Sequence, residues 1–424
     1  MSLTVYVAAD GDNAWPGTKA RPVASLARAR DLLRRHAGRR RRIVVRGGTY
    51  YDAALELTPE DSHLTIAAAA GERVVLYGGR RVTGWRKAGR RFYAAELDGV
   101  RAGRWDFRAL LVGGEMRPRA RWPEQGELEH ESLFRVPWMS TTGGGWKRKP
   151  TRRELTTMVF RRGDLGAWLT PADAELQVFH QWDESLVGVR SVDLPSRTVR
   201  FRNPAGHPPG AFGVRRYVVW NVRRGMTRPG QWYLDRAGGR LVYWPREGED
   251  MARVEVVAPT VESVIRLSGC EDRPVEGVTI RGLTIRATTT PLVAGGFGAG
   301  RFDGAVHATF ARRCRLEGLT VCHVGGQGMK LEKCDDLRVR RCRVHHTGAG
   351  GIVFSGRRVV VEDCRVHHVG RTYPSGIAIR AAGSDHRVRH NDVHDTPYSA
   401  VTASGSGTRI EHNRFHRYMQ VLKD

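Results

Sequence analysis

The chain has 424 residues, with 70 Lys and Arg against 44 Asp and Glu, a formal charge of +26, and 40% hydrophobic residues. That length supports a large buried core, and no apolar run approaches the roughly 18 residues of a membrane-spanning helix. Only seven of the cations are Lys, and the Arg are spread over alternating positions apart from a run at Arg39 to Arg42. A solvated surface is therefore expected rather than a nucleic-acid footprint, which usually gathers Lys with Arg on one face.

Thr4 to Val7 reads as a strand. Ser25 can cap a helix from Leu26 to about Arg35, with Leu26, Ala29, Leu32 and Leu33 on one face and Gly38 marking its end. Such a helix closes the first coil of a solenoid, whose apolar ladder and strand edges would otherwise be open. Arg42 to Tyr51 and Leu64 to Tyr77 read as first coils, so residues 1–84 form a cap and the opening of the solenoid. From Trp85 to about Glu249 aromatics, prolines and longer strands interrupt the pattern, and all eleven tryptophans fall at or before Trp244. Residues 85–250 read as an inserted β-rich domain, with a glycine-turn hairpin at Leu110 to Glu115.

Residues 251–424 return to short strands, with a glycine-rich excursion from Gly295 to Gly304 expected as a mobile rim loop. All six cysteines lie between Cys270 and Cys364, with no C-x-x-C pair, as expected of stacked core thiols. One pattern then recurs: Leu319-Thr320-Val321-Cys322, Cys342-Arg343-Val344-His345, Cys364-Arg365-Val366-His367, Asn391-Asp392-Val393-His394 and Asn413-Arg414-Phe415-His416. Each unit holds three short alternating runs, and no 3.6-residue spacing runs through it. A fixed period with strand-type alternation predicts an all-β fold, a parallel β-helix with Val344, Val366, Val393 and Phe415 as an inward ladder. The handedness, right-handed, is that of the known superfold. Asn391 and Asn413 should bond their own and neighbouring turns, with Cys342 and Cys364 filling the same slot.

The phrases Tyr6-Val7, Pro16-Gly17-Thr18, Pro22 and Ser25-Leu26-Ala27-Arg28-Ala29 resemble the opening of many carbohydrate-active β-helix proteins. Ala120-Arg121-Trp122-Pro123, Phe179-His180-Gln181-Trp182, Gln231-Trp232-Tyr233-Leu234-Asp235 and Leu241-Val242-Tyr243-Trp244-Pro245 resemble the inserted domain of glycoside hydrolase family 141, with family 120 more distant. His394-Asp395-Thr396-Pro397-Tyr398 resembles a turn of that family in which a second His stands where this chain has Tyr398, and Arg371-Thr372-Tyr373-Pro374-Ser375-Gly376 matches the loop before it. The resemblance implies glycoside hydrolysis of polysaccharide side chains containing xylose or fucose. It aligns Asp424 with a catalytic carboxylate, and the family has a second Asp about two coils further on. The chain is thus expected to be truncated, and inactive or nearly so as it stands.

Glycoside hydrolysis needs a carboxylic acid and a second carboxylate, about 5 to 9.5 Å apart. The catalytic candidates are Asp424 and Asp395, and the substrate contacts expected around them are His394, Tyr398, Tyr373, His368, Glu411 and Trp182. The aligned histidines recur because the repeat recurs, so neither a metal nor any other cofactor is expected. The partner expected is a polysaccharide or oligosaccharide, with no nucleic acid or membrane, and the oligomeric state is open. The start lacks a charged segment with an apolar run, which places the product as written in the cytoplasm, or outside the cell if the true start lies upstream. A non-catalytic carbohydrate-binding solenoid using Trp and Tyr faces is the alternative, and a polysaccharide lyase a more distant one.

Overall fold

A computed structural model describes residues 3–36, 40–139 and 144–422. The chain divides into two compact units, one of Met1–Arg81, Val257–Thr290 and Phe302–Lys423, the other of Val82–Val256 with Pro291–Arg301.

The first unit is a right-handed parallel β-helix of three sheets. Sheet I has nine strands: Leu3–Val7, Arg41–Val45, Leu64–Ala68, Thr279–Arg281, Arg315–Glu317, Arg338–Arg340, Val360–Glu362, Arg387–Arg389 and Arg409–Glu411. Sheet III has eight: Gly48–Tyr50, Val74–Tyr77, Leu283–Arg286, Thr320–Val324, Arg343–Thr347, Arg365–His367, Asp392–His394 and Arg414–His416. Sheet II runs through Leu55–Leu57, Ile265–Ser268, Gly304–Thr309, Gln327–Asp335, Ile352–Arg357, Ile379–Ser384 and Val401–Ser406. Each coil passes from sheet I to sheet III to sheet II.

Side-chain alternation fixes this register, because a one-residue slip would turn every inward aliphatic group to solvent. Val344, Val366 and Val393 are fully buried in mutual register, and Phe415, on the last strand of the row, packs half-buried on the same core. The corner between sheets I and III is a single residue in the left-handed region, Arg341, Asp363, His390 or His412 in successive coils. The next residue then points inward. There Asn391 accepts from the Cys364 amide (2.9 Å) and donates to the Val361 carbonyl (3.0 Å) and Asn413 (2.9 Å). Cys364 fills the same slot and accepts from the Cys342 amide. Five cysteines are buried free thiols, but Cys270 is exposed, so the expectation of six core thiols fails there.

The helix Leu26–Arg34 begins at Ser25, whose hydroxyl accepts from the Arg28 amide, and buries Leu26, Ala29 and Leu33 against the first coils. Its expected terminator, Gly38, lies outside the described residues.

Longer excursions of the chain collect at one corner, between sheets III and II. Val74–Tyr77 and Ile265–Ser268 belong to the same coil, and the 82–256 segment leaves between them. Gly79–Arg81 pairs antiparallel with Val257–Pro259 where it departs and returns. Pro291–Arg301 and the long turn before Ile379 leave at the same corner.

In the second unit, Glu175–Phe179 and Arg216–Trp220 lie inside a seven-stranded antiparallel sheet, and Arg240–Tyr243 with Tyr93–Glu96 centre one of four, which Trp232–Asp235 edges. Leu111–Val112 and Glu115–Met116 form the expected hairpin, with Gly113 and Gly114 both at positive φ as a tight two-residue turn requires. The glycine-rich excursion is no bare loop: Ala294 bridges Ser185, and Gly298 and Ala299 are buried in a 3-10 turn.

Among the described residues no helix is long and apolar enough to cross a membrane.

Candidate active site

Of the residues selected from sequence, His394, Asp395 and His368 come together at the end of sheet III. The His394 Nε2 accepts from Arg365, so its Nδ1 carries the proton and donates to Asp395 at 2.6 Å. Arg417 grips both Asp395 oxygens, at 2.6 and 2.8 Å, and His368 stands 3.9 Å away. The hydrogen bonds of Arg417, reinforced by His394, outweigh partial burial and hold Asp395 well below the usual carboxylate range. This carboxylate is ionised, suited to act as a nucleophile or base and not as the general acid.

Tyr398 and Tyr373, expected on the rim, are buried. Tyr398 packs with Ile377 and Leu422, while Tyr373 lies against Phe302, with its hydroxyl 2.7 Å from Thr290. Both serve to hold the long turn down. Glu411 lies on sheet I, in register with Arg389, because the strand alternation places it there rather than at the corner carrying Asp395. Trp182 belongs to the second unit, half-buried against Phe212 at 4.8 Å and near Trp138 at 6.2 Å. Asp424 lies outside the described residues.

A further carboxylate pair, along sheet II, was not selected from sequence. Asp303 immediately precedes Gly304–Thr309, and on the outward face of sheet II the register aligns Arg266 with His307 and His307 with Lys330, the last two buried. His307 directs Nδ1 at Asp303 (3.1 Å) and Nε2 at Glu332 (2.9 Å). Arg266 bonds the other Asp303 oxygen, and Lys330 stands 3.5 Å from Glu332. Burial would raise Asp303, but the bonds from His307 and Arg266 prevail and hold it well below the carboxylate range. Glu332 is 41% exposed and so open to a ligand.

Two carboxylates on opposite nitrogens of one imidazole lie no more than about 8 Å apart, within the range used by glycosidases. Asp303 and Asp395 are four coils apart, roughly 19 Å at the usual strand spacing, and cannot share one glycosidic bond. The pair escaped sequence reading because Asp303 closes the glycine-rich excursion and Glu332 sits in a nine-residue strand outside the repeat signature. The one signal was position: Asp303 opens a sheet II strand as Ser399-Ala400 does.

The family model described as right handed beta helix region matches residues 265–421. A solved structure titled "Glycoside hydrolase" superposes at TM-score 0.78 with 23% identity, covering 99% of this chain and 84% of that one. "The complex structure of XylC with xylose" superposes at TM-score 0.51 with 13% identity, covering 98% of this chain and 63% of the other. These likenesses show the fold. A search of curated proteins finds no match.

Proposed function

We propose that the chain is a glycoside hydrolase acting on polysaccharide side chains, with Asp303 and Glu332 as its carboxylate pair. The observation that carries this reading is the His307 bridge, which sets an ionised carboxylate and a solvent-open one on adjacent coils at a usable separation. Asp303 fits the role of base or nucleophile. Glu332 fits that of the acid that protonates the leaving oxygen, with His307 able to hold or return its proton. Arg266 and Lys330 supply positive charge for sugar hydroxyls and for the developing alkoxide.

The superposition on a protein titled a glycoside hydrolase supports the reaction class, and the xylose named for the XylC complex supports a pentose among the substrates to be tried. The half-buried rings of Trp138, Trp146 and Trp182 offer stacking faces in the second unit, the feature that favours a binding-only reading. Purified protein should be assayed against aryl xylosides and fucosides and against side-chain-bearing plant polysaccharides. Release of sugar by the wild type, lost in both Asp303→Asn and Glu332→Gln, supports hydrolysis. Saturable polysaccharide binding with no release from any substrate would favour the binding module.

A further inference from the structure

The inward positions of sheet I, Ile43, Ile280 and Val339 among them, leave an outward row of side chains on either side. The row through Glu317 and Glu362 alternates Arg with Glu from coil to coil. The other row carries Arg42, Arg315, Arg338, Arg387 and Arg409. Its remaining positions between these are Thr65, Thr279 and Val360, so it holds no acid at all. None of the five guanidiniums has a hydrogen-bond or ion-pair partner among the described residues. Arg315 beside Arg338, and Arg387 beside Arg409, set like charges one strand spacing apart, an arrangement that costs stability. Folding alone does not favour such a row.

Where the row begins, it borders a groove of about 620 Å³. Thr65 and Thr279 line it between Arg42 and Arg315, which stand three strand spacings apart, roughly 14 Å. Arg40 and Arg313 line it as well, the latter held by Glu276 at 2.7 Å. The Nε of Arg42 is buried with no acceptor for its hydrogen, a donor left open at a cost.

We infer that this row is a binding surface for an acidic polysaccharide, whose carboxylate or sulfate groups pair with Arg42 and Arg315 across the two threonines and whose chain continues along the solenoid over Arg338, Arg387 and Arg409. Planar guanidinium groups pair bidentately with oxyanions such as carboxylate, and they are less strongly hydrated than ammonium groups. A polymer suits the row better than a single sugar, because contacts that are weak one at a time add along one chain. The lining disfavours a nucleic acid. Grooves for single strands interleave aromatic faces for the bases, and no Phe, Tyr or Trp is among the residues lining this one. The row lies on sheet I and the Asp303 and Glu332 pair on sheet II, so the inference does not rest on the proposed hydrolysis.

The test is calorimetric titration of the full chain at low ionic strength with polygalacturonate, dextran sulfate, uncharged dextran and a single-stranded DNA oligonucleotide. Binding of polygalacturonate or dextran sulfate is expected, with none of dextran, and the tighter of the two identifies the anionic group. Added salt should weaken it, as screening requires. Arg42→Gln combined with Arg315→Gln should weaken binding about tenfold or more without lowering the thermal midpoint, since neither guanidinium is paired in the fold. Arg228→Gln combined with Arg253→Gln removes the same charge from exposed positions of the second unit and should leave binding within about twofold of wild type. Failure to bind either polyanion, or an equal loss in both double variants, would overturn the surface. DNA bound as tightly as the polysaccharides, and lost in the same Arg42 and Arg315 variant, would overturn the choice of partner.

Discussion

Asn391 shows how much a single inward polar group can do in a solenoid. Fully buried, it joins the Cys364 amide, the Val361 carbonyl and Asn413. Asn391→Ala strands a buried donor and a buried acceptor and should cost about 2 to 4 kcal/mol in urea unfolding. Asn391→Cys, which copies the residue of the two preceding coils, should cost less, because a thiol in this slot accepts from the amide above it. Glu175 is the corresponding case in the second unit, 1% exposed and ion-paired to Arg108, Arg119 and Arg236. Burial would raise its pKa, yet the three guanidiniums hold it well below the usual range. Burial also pulls the Arg119 guanidinium down, the direction of a cation short of compensation. Glu175→Gln should therefore cost about 3 to 5 kcal/mol. A carboxylate with a depressed folded pKa stabilises the fold above its unfolded value, about 4.3, and loses that contribution as pH falls toward the folded one. Acid unfolding of this unit, followed by tryptophan fluorescence, should accordingly begin below about pH 4.3 in the wild type, and that pH dependence should be blunted in Glu175→Gln.

The strands and their corners divide into what repetition reveals and what it conceals. Val366→Ala, at a fully buried rung, should lower stability by about 2 to 3 kcal/mol, whereas Phe415→Ala should cost less for its size because its ring is only half-buried. A loss at Phe415→Ala of the full ~3 to 5 kcal/mol typical of a completely buried Phe would contradict the burial order. The ladder, the Asn and Cys slot and the capping helix were all legible, since each depends on side-chain type at a fixed spacing. The doublets His345-His346, His367-His368 and His394-Asp395 were not. Their members face one way because of a left-handed backbone residue, and His346, His368 and Asp395 adopt that conformation with side chains that carry no glycine-like warning. Tyr373 and Tyr398 were misread for a related reason: aromatic residues in a long turn look like binding groups until the turn is seen to fold them inward. Glu411 was selected without knowledge of which sheet its strand would join.

Taken together, the coils form a scaffold that concentrates variation at one corner. Sheets I and III are linked by one-residue kinks, while the inserted unit, the Pro291–Arg301 segment and the long turn before Ile379 all leave between sheets III and II. Regular stacking sets side chains several coils apart in sequence at multiples of the strand spacing. Sheet I illustrates the contrast. One outward row alternates Arg281, Glu317, Arg340, Glu362, Arg389 and Glu411, neutralising itself along the axis, with Arg389 bonded to Glu362 at 2.7 Å. That alternation is a solvated surface of balanced charge, whereas along sheet II Asp303, His307 and Glu332 make a compact group with an open carboxylate. The most direct measurement is the hydrolysis rate of wild type, Asp303→Asn, Glu332→Gln and Asp395→Asn on the best substrate, each variant first checked for an unchanged thermal midpoint. Losses of about 10²- to 10⁴-fold in Asp303→Asn and Glu332→Gln, with Asp395→Asn close to wild type, are predicted. Full activity in Asp303→Asn beside an inactive Asp395→Asn would contradict the assignment and move the chemistry four coils along the solenoid.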